Sequence, residues 1–209
     1  ALEFEATISR LLWFSKQKGY AMPRIAPVEP PYEPDTETML RKWMPPGSPL
    51  EPLALFRTLA VHQDLFSRMR PLGSGILGHG RIDPRERELI IDRTCARAGA
   101  EYEWGVHVVA FGGAVGLSDA QLAATATSDP DDPVWSAQDA LLIRFADELY
   151  DTADVSDATW DALAERFTAD QLLELIITAG WYRLLSCVIR VTRIEPEPWA
   201  ARFPEGGSG

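Results

Sequence analysis

From Leu53 onward the apolar residues of this chain recur at helical spacing. Leu53, Phe56, Leu59 and Ala60 stand three and four apart, and Leu65, Phe66, Met69 and Leu72 resume the rhythm after a break near His62. Asp83-Pro84-Arg85-Glu86 predicts a helix start, with Asp83 as N-cap, Pro84 in the first turn and Glu86 two residues on; Gly99 stops that helix. The next helix is expected over residues 100–115, with Gly116 as its C-terminal stop. Ser118 to Gln121 is a capping box opening a short helix to residue 126. Ser136 with Asp139 opens one through Tyr150, whose inward stripe is Leu141, Leu142, Phe145 and Leu149. Ser156 opens another to Phe167, and Thr168 to Gln171 caps a long apolar helix reaching Arg193. The glycines at 73, 75, 78 and 80 predict a turn that contains His79. No strand-like alternation competes with this pattern. The expected fold is all-α, a single-domain helical bundle over residues 53–204.

Upstream the pattern changes. Residues 22–52 hold nine prolines, which fix φ and remove amide donors, so this segment predicts an extended arm packed across the domain or a neighbouring subunit. A short helix from Asp35, as N-cap, to Trp43 is expected within it. Residues 1–21 contain no proline and two of the chain's three lysines, and read as vector-derived or upstream sequence ahead of Met22. Residues 205–209 read as a linker or tag scar.

Composition narrows the class. A formal net charge of −11 with no basic stripe argues against nucleic acid and anionic membranes as partners. No apolar run reads as approaching the roughly 20 residues of a spanning helix. Cys95 and Cys187 are far apart and in no CxxC spacing, and His62, His79 and His107 are dispersed, so neither a disulfide framework nor a metal site is expected. These features predict an acidic cytoplasmic protein.

The chemistry concentrates in Ala100-Glu101-Tyr102-Glu103-Trp104-Gly105-Val106-His107. Glu103 and His107 stand four apart, so on a helix they share one face, with Ala100 a turn earlier. On a solvated face such a pair is an ordinary contact of about 0.2–0.5 kcal/mol. The surrounding Tyr102, Trp104, Val106, Val108 and Phe111 instead predict burial, where carboxylate and imidazole pKa values shift. Glu88, in the preceding helix near Arg85, Arg87 and Arg93, can be brought opposite His107 by an αα-hairpin.

The run RERELIIDRTCARAGAEYEWGVHVVAFGGA from Arg85 to Ala114, followed by GLSDAQL, resembles the carboxymuconolactone decarboxylase family. Its superfamily includes the thiol peroxidase alkylhydroperoxidase D. The resemblance runs from Met22 to Pro204 and is strongest over Pro84–Gln121. It implies an alkylhydroperoxidase D-like helical fold and a homo-oligomer. The peroxidase branch carries a glutamate, a CxxC pair and a histidine; Glu88 and His107 match the first and last, while Ala100 and Glu103 stand in the cysteine positions. Dithiol peroxide reduction needs a thiolate and a second thiol, so that mechanism is excluded. The resemblance then implies cofactor-independent loss of CO2 from a small lactone, with Glu88, Glu103 and His107 handling protons and Tyr102, Trp104, Arg85 and Trp181 lining the substrate site. Tyr102, Trp104 and Trp181 equally fit a structural core role. A doubly charged lactone would need arginine counter-charge, from Arg85, Arg87, Arg93, Arg183 or Arg190. The competing expectation is a non-catalytic ligand-binding or assembly protein on the same fold, and a third is redox activity through Cys95 and Cys187.

Overall fold

The computed structural model describes residues 22–205, and the readings of residues 1–21 and 206–209 lie outside them. The described residues form helices joined by short connections, with no strand among them: α1 (Pro34–Arg41), α2 (Ala54–Leu59), α3 (Gln63–His79), α4 (Pro84–Arg97), α5 (Glu101–His107), α6 (Asp119–Thr127), α7 (Ala137–Thr152), α8 (Asp157–Ala164) and α9 (Ala169–Thr192). The all-α expectation holds.

The punctuation read from sequence sets most of the helix starts. The Asp83 side chain accepts from the Arg85 amide with Pro84 in the first turn. Ser118 and Thr168 form capping boxes with Gln121 and Gln171. Ser136 and Ser156 accept from the amides of Asp139 and Thr159. Each such bond satisfies a donor that the first helical turn leaves open, worth about 1 kcal/mol.

Other expectations need correction. The arm's helix starts at Pro34 behind Glu33, whose side chain makes no cap, because proline at the first position supplies the preset φ. The glycines after residue 72 make no turn: α3 runs through Gly73, Gly75 and Gly78 to His79, with Pro71 inside it. Packing accounts for this, since Gly73 lies against the rings of Trp43 and Trp181 and lets them approach the helix backbone. The arm wraps its own domain, with the Arg24 amide donating to Thr192 O (2.8 Å) and that of Val28 to Arg57 O (3.1 Å).

Helix α4 is the axis of the bundle. Every residue from Arg87 to Ala96 is buried, because α5, α6, α7 and α9 surround it. One apolar cluster joins Ile91, Cys95, Tyr102, Trp104, Trp181 and Tyr182; another joins Leu89, Ile90, Leu142, Phe145, Leu163 and Leu175. Burying each large apolar side chain contributes about 1.5–3 kcal/mol. Helix α9 corrects the hydropathy reading: at 24 residues it is long and apolar enough to cross a membrane, and about half of its most apolar window is buried in the bundle. Its outward face still exposes Leu173, Ile177, Leu184 and Val191.

Candidate functional site

The α4–α5 connection is short, with Gly99 at φ 63°. That tight reversal folds α5 back along α4 and sets its inner face against Glu88. Ala100 is the N-cap of α5 without a side-chain bond, and the helix stops at His107, where a π-helical turn, Val108–Gly112, begins. Such widened turns interrupt regular helix packing and recur at functional sites. A second crossing pins the helix: the C-terminal segment passes over Gly105, with the Ala201 amide donating to Gly105 O at 3.2 Å. A Cβ at Gly105 would collide with the Ala201 carbonyl oxygen.

These elements bring Glu88, Glu103 and His107 together at 0, 5 and 4% exposure. His107 Nδ1 and Glu88 Oε2 are 2.7 Å apart, a charge-assisted hydrogen bond donated by the imidazole. His107 Nε2 lies 3.7 Å from Glu103 Oε1, too far for a hydrogen bond, which leaves that nitrogen free for another partner. Glu103 Oε2 has none. Tyr182 stands edge-on to the imidazole at 4.9 Å, and the half-buried Phe111, on the π turn, covers it from the solvent side at 5.0 Å.

Electrostatics make this a proton-rich place. Burial alone would lower the His107 pKa, but the charge and hydrogen bond of Glu88 outweigh it and raise the value above its ordinary one. Burial pushes the Glu103 carboxyl up, and nearby His107 only partly offsets that. Asp92, one turn beyond Glu88, is also buried and raised well above the carboxylate range, by burial first. Sequence reading passed over Asp92, although its spacing of four from Glu88 was the available signal.

The arginines divide sharply. Arg87 alone reaches the cluster, donating from Nε to Glu88 Oε1 at 3.3 Å and from Nη1 to Leu77 O. Arg85, expected in the substrate site, is instead clamped to Asp139 by bonds of 2.5 and 3.0 Å, because its place in the first turn of α4 turns it towards α7. Arg93 is held by Asp147, Arg183 by the Tyr150 carbonyl and Arg190 by the Ala98 carbonyl. The expected aromatic lining is equally selective. The Tyr102 hydroxyl donates to Glu197 and accepts from the Leu55 amide; Trp104 Nε1 donates to Thr125 Oγ1; Trp181 packs on Gly73. All three hold the core, and Tyr182 is the aromatic of α9 that meets His107. Trp43, in the arm, stacks on Phe66 at 4.8 Å.

Cys95 is buried with its thiol pushed up by burial, Cys187 is exposed, and both are free. Among the described residues no group of histidines, cysteines and carboxylates is placed to hold a metal. A cleft of about 700 Å³ lies under the arm, lined by Pro34, Glu37, Arg41, Lys42, Met44 and Arg70, and contains none of the titratable cluster.

Residues 63–142, which span Glu88 to His107, match the sequence model of the carboxymuconolactone decarboxylase family. No curated protein matches the chain. Among solved structures, an uncharacterized peroxidase-related protein from Silicibacter sp. TM1040 is similar, with a TM-score of 0.72 and 14% identity, over 86% of this chain and 94% of that one. A protein of unknown function from Agrobacterium tumefaciens, described as a candidate AhpD of antioxidant defence, is similar with a TM-score of 0.61 and 18% identity, over 66% of this chain and 95% of that one. At these identities the likeness is one of fold.

Proposed function

We propose that the chain is a cofactor-independent proton-transfer enzyme of the decarboxylase type, a reading supported by the match of residues 63–142 to the carboxymuconolactone decarboxylase family. Its substrate is a small lactone or related carbonyl acid. The carrying observation is the buried Glu88–His107 pair, whose second nitrogen, Nε2, has no hydrogen-bond partner among the described residues. Glu88 fixes the tautomer and orientation of the ring; Nε2 is the donor to the carbanionic carbon left when CO2 departs. Glu103, beside Nε2, orients the substrate or the transferred proton. Phe111 and Tyr182 exclude water, which strengthens each electrostatic contact.

Arg87, bonded through Nε to Glu88 and through Nη1 to the Leu77 carbonyl, brings one guanidinium to the cluster, which favours a substrate with one carboxylate over one with two. Dithiol peroxide reduction finds no support: the positions for a dithiol are Ala100 and Glu103, and Cys95, buried one turn beyond Asp92 on α4, has no resolving partner. Burial of Glu103 beside His107 supports the enzyme over a non-catalytic binder.

The test is a panel of small lactones bearing one or two carboxylates, assayed for CO2 release. Turnover confined to monocarboxylates is expected. A folded protein that releases CO2 from none of them sinks the reading.

The self-association implied by the resemblance has a candidate surface as well. Leu173, Ile177, Gly180, Leu184, Cys187 and Val191 are exposed on α9 and spaced alternately four and three apart, a heptad seam. An antiparallel second copy centred near Tyr182 would set Leu184 over Gly180 and Leu173 opposite Val191. The exposed Leu72 of α3 lies beside Leu173 and Ile177 and extends this apolar face, the kind of contiguous surface that marks protein contacts.

A further inference from the structure

Asp92 is the buried acid that the proposed chemistry leaves without a role. It follows Glu88 by one turn of α4, so both carboxyls leave the helix on the same side, and it lies within electrostatic reach of Glu88 and His107. It is 0% exposed, and neither Oδ1 nor Oδ2 has a hydrogen-bond partner. The contrast with Asp139 and Asp147 is direct, since each of those takes two bonds from an arginine. On α4 itself Glu88 and the buried Cys95 thiol couple to Asp92; from the helices packed on α4, His107 on α5 couples to it directly, while Glu103 on α5 and Tyr182 on α9 couple to Glu88 beside it. Asp139 and Asp147 on α7 are committed to Arg85 and Arg93, and α6 contributes only Asp119 at its exposed start. An unpaired carboxylate in such a place is expensive, and the group takes up a proton instead.

A decarboxylation needs that proton. Loss of CO2 from a carboxylate leaves an electron pair on carbon, and one proton must enter the product each turnover. His107 is 4% exposed between Phe111 and Tyr182, so a proton held inside the site is closer to hand than one from bulk water.

We infer that Asp92 is a positioning residue that holds one proton in the resting site and reloads the Glu88–His107 pair after each protonation of product. The Nε2–H bond of His107 breaks as the product C–H bond forms. Neither Asp92 oxygen touches the pair directly, so its O–H bond breaks to a water that enters as product leaves and passes a proton on to restore the imidazolium, and the carboxylate left behind is then reprotonated from solvent. The use of the proton rests on the decarboxylase reading; its presence does not.

Two measurements need no substrate. The first is stability against pH, between about pH 5 and 9, for wild type and Asp92→Asn, with the slope read as protons bound on folding. The variant is expected to take up about one proton fewer near neutrality and to gain on wild type as pH rises. Equal slopes overturn the inference. The second is NMR titration of His107. Replacing a neutral acid by Asn leaves its midpoint in place, whereas a fall of about one unit means that Asp92 was charged, which also overturns it. Should Asp92→Asn not fold, the infrared carbonyl band of protonated carboxyls is recorded for Glu103→Gln at neutral pH. A remaining band is expected, and its absence refutes the stored proton. With a lactone in hand, Asp92→Asn is expected to lose kcat on the alkaline side with KM held; an unchanged kcat–pH profile refutes the reloading step even if the stored proton is found.

Discussion

His107 has two faces with different duties. Nδ1 is bound by Glu88 at 2.7 Å, and the resulting ion pair is buried, where breaking it by removing one partner costs about 3–5 kcal/mol. Because the folded pKa of His107 is raised, the pair's contribution to stability is complete below the ordinary histidine value of about 6.5 and is lost as pH rises through the folded value. Glu88→Gln removes the charge that offsets burial, so the His107 pKa is expected to fall below its ordinary value, read by NMR titration; a midpoint that stays raised would contradict this assignment of cause. Asp139 behaves oppositely. Burial tends to raise its pKa, the Arg85 bonds outweigh that, and its depressed value means stability lost as pH falls through the acid range. At this scale the sequence was legible where spacing decides contact: Glu103 and His107 four apart, and Glu88 opposite them through the hairpin. It pointed to Arg85 where Arg87 reaches the cluster, because a long side chain near a helix start turns to whichever carboxylate its neighbours present. Asp92 was hidden by its apolar surroundings, the same surroundings that give it significance.

Helix α5 is only two turns long, and its position depends on what crosses it. The C-terminal segment meets it at Gly105, where no side chain fits without moving Ala201. Gly105→Ala is therefore expected to lose about 1–3 kcal/mol through displaced backbone, measured by denaturant unfolding, and wild-type stability would contradict the crossing. The helix caps were legible because they are local: an oxygen and an amide three residues apart suffice. The Gly73–Gly80 stretch was misread because its outcome is not local. Gly73 serves the rings of Trp43 and Trp181, which come from 30 residues before and 108 after, and no window of sequence contains that contact. The π turn after His107 was likewise invisible, since Val108 to Gly112 fit a regular helix as well.

For the whole molecule, the bundle is built around one helix, α4, whose burial on all sides makes it the frame for every group in the site. Fold class followed from apolar rhythm, while the outer face of α9 became visible only once its inner face was known. Leu184→Glu, at the centre of that exposed stripe, is expected to convert an associated species to monomer in light scattering while leaving the melting temperature of the monomer nearly unchanged; an unaltered mass would remove α9 as the contact. The account as a whole stands on His107 as the proton donor of a decarboxylation. Its most direct measurement is kcat of His107→Gln against wild type on a lactone monocarboxylate that wild type turns over, with the variant shown to be folded. A fall of about 10²–10⁴-fold, with KM little changed, is the predicted result. Equal kcat would contradict the account.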